Sequence, residues 1–161
     1  MKTADDIAQN AAHSYQILKA HLLVREEEST DCVPILELHF KNGRIQPVVL
    51  ESRDAVPTAI VAMTEKYPDD LVACALNLEV YASSNEERGD EFDKALPFEH
   101  EDVLEGLLTI AVTSNGEHAV KLFRYYFLDD GGIEFEEREL KPESLGTLVY
   151  EMRGLWARQG V

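Results

Sequence analysis

Hydrophobic residues recur at helical spacing in three parts of the chain. These parts cover residues 3 to about 27, 54 to 67 and 142 to about 158, and each places its apolar side chains on one helical face. Thr3 or Asp5 can cap the first helix, and Asp54 can cap the second, which carries Pro57 in its first turn. The pattern therefore predicts three amphipathic helices.

Alternation of apolar and polar residues predicts the strands between them. It covers residues 33–41 and 44–50 around the dipeptide Asn42-Gly43, and it is longest and cleanest over residues 71–82. An apolar run over residues 119–128 lies between the turn dipeptides Asn115-Gly116 and Asp130-Gly131. These signals predict one hairpin, one central strand and a three-stranded meander.

The turn dipeptides also predict the register of the strands. A two-residue loop at Asn42-Gly43 pairs Phe40 with Ile45, Leu38 with Pro47 and Leu36 with Val49 on the core face. Glu37 and His39 then share the opposite face with Lys41, Arg44 and Gln46. The same rule at Asp130-Gly131 pairs Leu128 with Ile133, Tyr126 with Phe135 and Arg124 with Glu137. Because Pro47 has no backbone N–H, we expect its strand at a sheet edge or beside a bulge.

Together these elements predict a single α+β domain over residues 1–161. We expect a mostly antiparallel sheet of about six strands with three helices, in the order helix, hairpin, helix, strand, meander, helix. A chain of 161 residues is large enough to bury a core without disulfides or metal. Residues 83–102 show no apolar period and are dense in charge, which predicts a long loop.

The charge and composition of the chain make some kinds of binding partner less favourable than others. The chain has 31 acidic and 15 basic residues, a formal charge of −16, so we expect it to be repelled by nucleic-acid phosphates and by anionic membrane surfaces. No apolar run is long enough for a membrane span, and the first residues do not resemble a signal peptide. Cys32 and Cys74 form no CxxC pair, which favours reduced thiols and a cytoplasmic location.

Few residues suggest chemistry. Glu37 and His39 point to the same side of a strand, where they could share a metal ion or a substrate proton, although a solvated strand face gives the same pattern. Glu79 lies within the central strand, and it should be either paired with Lys or Arg or perturbed in its pKa. One hypothesis is thus a metal-dependent or acid–base enzyme with a site assembled from Glu79, His39 and the loop around His100. No motif for a cofactor or nucleotide is present, so we predict none.

The acidic residues are clustered, and 16 of the 31 lie in residues 84–105 and 129–143. Such clusters favour a non-enzymatic interaction module that binds a basic protein, or an inhibitor that mimics nucleic-acid phosphates. A solubilising surface is the simpler alternative. Self-association through the Pro47 edge and the last helix is a further possibility. The candidate contact residues are Glu86, Glu87, Asp90, Glu91, Asp93, Glu99, Glu101, Asp102, Glu134 and Glu136.

Overall fold

The computed structural model describes residues 2–24, 33–67, 69–82, 104–130 and 132–138, together with Met152 and Gly154. Within this part of the chain lie two α-helices, a 3₁₀ turn and six strands. The helices are α1 (Ala4–Val24) and α2 (Val56–Lys66), and the 3₁₀ turn (Arg53–Ala55) directly precedes α2. The strands are β1 (Ile35–Phe40), β2 (Ile45–Val49), β3 (Leu71–Ala82), β4 (Leu104–Thr113), β5 (His118–Phe127) and β6 (Ile133–Arg138).

The six strands form one antiparallel sheet in the order β2-β1-β3-β4-β5-β6. This arrangement confirms the α+β class, and β3 has the bounds that the alternation predicts. Two helices are described rather than three. The predicted third helix lies outside the described residues except for Met152 and Gly154, which are helical, and Met152 is buried in the core. The predicted loop at residues 83–102 also lies outside them.

Helix α1 begins with a reciprocal cap. The Asp6 N–H donates to Thr3 Oγ1 at 3.1 Å, and the Thr3 N–H donates to Asp6 Oδ2 at 3.4 Å, so Thr3 and not Asp5 is the N-cap of the two that were predicted. Farther along, small residues of α1 pack on small residues of the sheet, with Ala8 and Ala11 against Ala75 and Ala111. These short side chains let the helix approach β3 and β4 closely. We call this side of the sheet the α1 face.

The opposite side of the sheet, the α2 face, carries the larger apolar core. Val56 and Ile60 of α2 are buried there with leucines of the central strands, so the sheet is covered on both sides. The predicted cap Asp54 is wrong. Asp54 lies inside the 3₁₀ turn, and Ala55 occupies the cap position without a side-chain hydrogen bond. Neither described helix has the length and apolarity needed to cross a membrane.

The hairpin turns are where the sequence prediction fails. The Phe40 N–H donates to Arg44 O, the Gly43 N–H donates to Phe40 O, and Gly43 has φ +86°. The loop thus has three residues, ending in a glycine bulge, and not two. His39 therefore pairs with Ile45, and Glu37 pairs with Pro47.

The other two hairpins follow the same rule. The Thr113 N–H donates to Glu117 O, with Gly116 at φ +90°, and the Leu128 N–H donates to Gly132 O. The loops at Asn42-Gly43 and Asp130-Gly131 are therefore each one residue longer than predicted. In the last hairpin the observed pairs are Phe127 with Ile133, Tyr125 with Phe135 and Arg124 with Glu136.

A one-residue shift moves every side chain of a strand to the other face of the sheet. In β2 it places Ile45 and Pro47 on the α1 face beside Glu37 and His39, and not in the core. Pro47 does lie in an edge strand, as predicted. The carbonyl of Arg44 accepts from the Phe40 N–H, so the backbone groups of Arg44 point towards β1. These groups point in alternate directions along a strand, so the backbone of Pro47 points away from β1. Because Pro47 has no N–H, it offers no donor there to the strand of another molecule.

Candidate functional site

A groove runs along the α1 face where α1 and the β1–β2 hairpin diverge. One part of it is a cavity of about 350 Å³. The walls are mostly apolar, and a few polar groups line the floor and rim. The apolar lining residues are Ile7, Tyr15, Leu18, Ile35, Ile45 and Pro47, and the polar ones are Lys2, Asn10, Ser14, Glu37, His39 and Asn77.

A second cavity of about 540 Å³ adjoins the first near the amino end of α1. The two share four lining residues, Lys2, Ile7, His39 and Ile45, so we treat them as one α1 groove. The second cavity is bounded by the β1–β2 turn, the start of β3 and the end of β4. Its additional lining residues are Phe40, Lys41, Gly43, Arg44, Val72, Ala73, Thr113 and Ser114.

Glu37 and His39 lie side by side on β1, between the two parts of the groove. His39 Nε2 is 3.4 Å from Glu37 Oε1, and the two side chains are only 13% and 16% exposed. The two groups form no hydrogen bond, and Nε2 is a buried polar atom that has no hydrogen-bond partner. An unpartnered buried polar group costs about 1–3 kcal/mol, and a ligand that supplies the partner recovers that free energy.

Asn77 forms a fixed part of the floor. It is 1% exposed, its Oδ1 accepts a hydrogen bond of 2.7 Å from the Thr109 hydroxyl, and its Nδ2 donates to Ile35 O at 3.4 Å. Both ends of the amide are engaged within the protein. Asn77 therefore shapes the groove, whereas His39 is the group there that can still gain a partner.

The amino end of the groove is basic. Lys2 and Lys41 line it, and no carboxylate is among the described residues lining that cavity. The Arg44 guanidinium lies 5.5 Å from the centre of the Phe40 ring and donates to Gln46 Oε1, so Arg44 and Gln46 face the α2 side and not, as predicted, the side of Glu37 and His39. We call Lys2 and Lys41 the cationic end.

Glu79 belongs to a separate, buried cluster. Its Oε1 lies 2.5 Å from Lys19 Nζ and accepts a hydrogen bond of 3.2 Å from the Tyr125 hydroxyl, with Lys19 and Glu79 only 1% and 3% exposed. The partner lysine comes from α1 and not from a neighbouring strand. Tyr125 reaches this cluster from β5, which lies on the other side of β4 from β3.

The structure does not bring Glu79 and His39 together. His39 pairs with Ala73, and Glu79 is six residues farther along β3, a distance of roughly 20 Å at the usual rise per residue. His100, the third member of the hypothetical enzyme site, lies outside the described residues. Within the described residues, Glu37 and His39 are thus the only members of the hypothetical sites that lie next to each other.

The acidic surface is described only in part. Glu134 and Glu136 are exposed on β6, where Glu136 is opposite Arg124 and lies 3.5 Å from Arg138 Nη1. The local charge there is mixed and not purely negative. The remaining candidates lie outside the described residues, namely Glu86, Glu87, Asp90, Glu91, Asp93, Glu99, Glu101 and Asp102.

Metal and thiol chemistry find little support in the described ranges. No group of three or more His, Cys, Asp or Glu side chains there could hold a metal ion. Cys74 is fully buried, and burial raises the pKa of its thiol far above the usual range, so the nucleophilic thiolate is not formed at neutral pH. Cys32 lies outside the described residues.

Sequence reasoning identified Glu37 and His39 but missed the groove around them. Ile45 and Pro47 were assigned to the core, and nothing in the pattern linked the cationic end to them. Asn-Gly also occurs in three-residue hairpin loops. A three-residue loop at this position would have predicted Ile45 and Pro47 beside His39.

Comparison with known protein families, with curated proteins and with solved structures finds no match for this chain.

Proposed function

We propose that the chain is a non-enzymatic binding protein that holds a small amphipathic molecule in the α1 groove. The observation that carries this proposal is the combination of apolar walls with one buried polar atom, His39 Nε2, that lacks a partner. Ligand sites commonly combine apolar lining with a few placed polar groups, and their volumes of about 300–1,000 Å³ include both parts of this groove.

Exposed apolar side chains beside the groove support the same proposal. Ile45 is 48% exposed and Val49 is 64% exposed, although both lie in a strand with a well-packed neighbour. Apolar surface at the rim of a concave site is covered when a ligand binds, and this burial contributes to affinity. The apolar body of the ligand would lie against β2 and α1, and its polar group would lie near His39.

The test is titration with Nile red, an uncharged dye whose fluorescence rises in apolar surroundings. The wild-type protein should give a saturable signal with one site per chain. A Ser14→Trp variant should weaken dye binding at least tenfold, because Ser14 is exposed on α1 and a bulky side chain there fills the groove without entering the core.

The matched control is Gln9→Trp, which adds the same side chain at an exposed position of α1 that does not line the groove. It should bind the dye as the wild type does, with unchanged circular dichroism for both variants. Dye binding that is unsaturable, or that Ser14→Trp leaves intact, would contradict the proposal.

A second candidate function is the acidic interaction module that binds a basic protein, and the formal charge of −16 favours it. Poly-L-lysine is a direct probe. Electrostatic recognition predicts binding that weakens by more than tenfold between 50 and 300 mM salt, on the order expected for screened surface charges. Binding that does not change with salt would exclude this mechanism.

A further inference from the structure

We infer that the ligand of the α1 groove carries an uncharged group with a hydrogen-bond donor and an acceptor side by side, a hydroxyl or a primary amide. This inference rests on the proposed function and names the ligand class. It starts from Glu37 and His39, two mostly buried side chains that lie on the same face of β1 and line the same cavity.

His39 and Glu37 offer the ligand one donor and one acceptor. His39 Nε2 lies 3.4 Å from Glu37 Oε1, and this negative charge favours the imidazole form that carries a proton on Nε2. The Nε2 atom has no hydrogen-bond partner, and the carboxylate accepts no hydrogen bond from the described residues. A ligand can therefore accept from Nε2 and donate to the carboxylate at the same time.

The distance between the two atoms suits one small group. Hydrogen bonds of about 2.7–3.0 Å let a single ligand oxygen reach two atoms that are 3.4 Å apart. A hydroxyl oxygen can accept from His39 and donate to either carboxylate oxygen of Glu37. A primary amide does the same with two neighbouring atoms, because its carbonyl accepts and its N–H donates.

Charged groups fit this pair less well. An ionised carboxylate accepts but cannot donate, and it would lie beside the charge of Glu37. An ammonium group donates but cannot accept, so it would leave the buried His39 Nε2 without a partner. An ester accepts from His39 and has nothing to donate to Glu37. Only a neutral group with both functions satisfies the two side chains together.

The other polar groups around this cavity do not take the place of the ligand. The Asn77 amide is hydrogen-bonded within the protein at both ends. Lys2 and Lys41 are exposed, and among the described residues neither forms an ion pair with Glu37. The apolar part of the ligand would follow Ile45 and Pro47, which lie beside Glu37 and His39 on the α1 face.

The experiment compares probes with the same eight-carbon chain by isothermal titration calorimetry: octanol, octanamide, methyl octanoate, octanoate and octylamine. Octanol or octanamide should bind about tenfold or more tightly than each of the other three, which lack a donor, an acceptor or neutrality. A preference confined to octanol or to octanamide identifies the group, and a preference for both supports a general donor and acceptor site.

Two variants separate hydrogen bonding from charge. Glu37→Leu removes the acceptor, so octanol and octanamide should lose their preference over methyl octanoate. Glu37→Gln keeps an acceptor and removes the charge, so it should keep that preference and bind octanoate more tightly than the wild type does. Glu65→Leu is the control, because Glu65 is an exposed carboxylate of α2 that does not line the groove. It should leave all affinities unchanged.

The outcomes distinguish this inference from the proposed function. If methyl octanoate, octanoate or octylamine binds as tightly as octanol and octanamide, or if Glu37→Leu keeps the preference, the inference is wrong but the proposed function stands. If Nile red binds and none of the five probes does, the inference alone is wrong. If neither Nile red nor any probe binds, both are wrong.

Discussion

Helix α1 buries Lys19 against Glu79 near its carboxyl end, whereas near its amino end it borders the α1 groove, where Lys41 forms no ion pair among the described residues. Both regions lie on the same face of the same sheet. At the buried end, the charges meet each other and the Tyr125 hydroxyl, so this cluster holds the helix to the sheet. At the groove end, the fold supplies no hydrogen-bond partner to His39 Nε2.

The comparison separates two uses of polar groups. Where a buried charge has its partner within the protein, its removal should lower stability, because the other charge is left without compensation. Where a polar group has no partner within the protein, its removal should leave stability unchanged or raise it, while ligand binding is lost. Five predictions test this difference, beginning with the largest effect.

The largest loss should follow Glu79→Gln. Glutamine can still accept from Tyr125, but it removes the carboxylate charge that lies 2.5 Å from the buried Lys19 ammonium, so we expect the free energy of unfolding to fall by about 3–5 kcal/mol. Urea denaturation followed by circular dichroism measures it. The double variant Lys19→Met/Glu79→Gln removes both charges and should recover more than half of the loss. A loss below 1 kcal/mol for Glu79→Gln would contradict a structural role for this pair.

The turn that carries the cationic end gives the second prediction. Gly43 at φ +86° and Gly116 at φ +90° have left-handed backbones, and a Cβ at either meets no atom within 4 Å. Gly43→Ala and Gly116→Ala should each lower stability by about 1–2 kcal/mol through backbone strain alone. Because Gly43 lines the groove and Gly116 does not, only Gly43→Ala should also weaken Nile red binding.

The control for this strain is Gly154→Ala. Gly154 is helical and has open space where the Cβ would lie, so the same substitution should raise stability by about 0.5–1 kcal/mol. Thermal unfolding of the three alanine variants gives the comparison. Equal losses at all three glycines would show that the left-handed conformation of Gly43 and Gly116 does not determine the effect.

These glycines also explain how far the sequence predicted the fold. Asn-Gly marks a left-handed position in both two-residue and three-residue loops, so the dipeptide located the turns but not the register. The apolar pattern did not correct the error. Ile45, Pro47 and Val49 alternate as a core strand does, and that alternation favoured the wrong face for all three.

The sequence predicted only the part of the candidate site that comes from a single strand. Glu37 and His39 share a face at any register, because alternate residues of a strand always do. The groove, in contrast, depends on the placement of β2 and on the distance between α1 and the sheet edge, and neither is encoded locally. The same limit applies to Glu79, whose partner Lys19 is 60 positions earlier in the chain.

The third prediction is a gain of stability, whereas the first is a loss. His39→Leu replaces a side chain with an unpartnered buried nitrogen by an apolar one, so we expect stability to rise, by up to about 1 kcal/mol. Chemical denaturation measures this gain, and Nile red titration should show altered ligand binding in the same variant. A stability loss comparable with that of Glu79→Gln would mean that His39 is structural and would remove the difference between the two regions.

An intermediate case is Lys121, which is paired but partly exposed. Its hydrogen bond to Asp5 is the main cause that raises the pKa of Lys121, with help from Glu137. A raised pKa means that the stabilisation is complete below the ordinary value of 10.5 and is lost as pH rises through the higher folded value.

We therefore expect Lys121→Met to cost about 0.5–1 kcal/mol at pH 8, as for other partly exposed ion pairs. The difference from wild type should shrink above pH 10.5. Urea denaturation of both proteins across pH 8–12 checks the sign. A difference that grows with pH would show that Lys121 is not stabilised by its carboxylate neighbours.

The smallest effect belongs to the cationic end itself. Lys41→Gln removes an exposed charge without an ion-pair partner among the described residues, so its free energy of unfolding should stay within about 0.5 kcal/mol of the wild-type value. Denaturation in 0.15 M salt is the measurement, because screening limits the added repulsion in a chain of charge −16. A loss above 1 kcal/mol would place Lys41 with Lys19 among the structural cations.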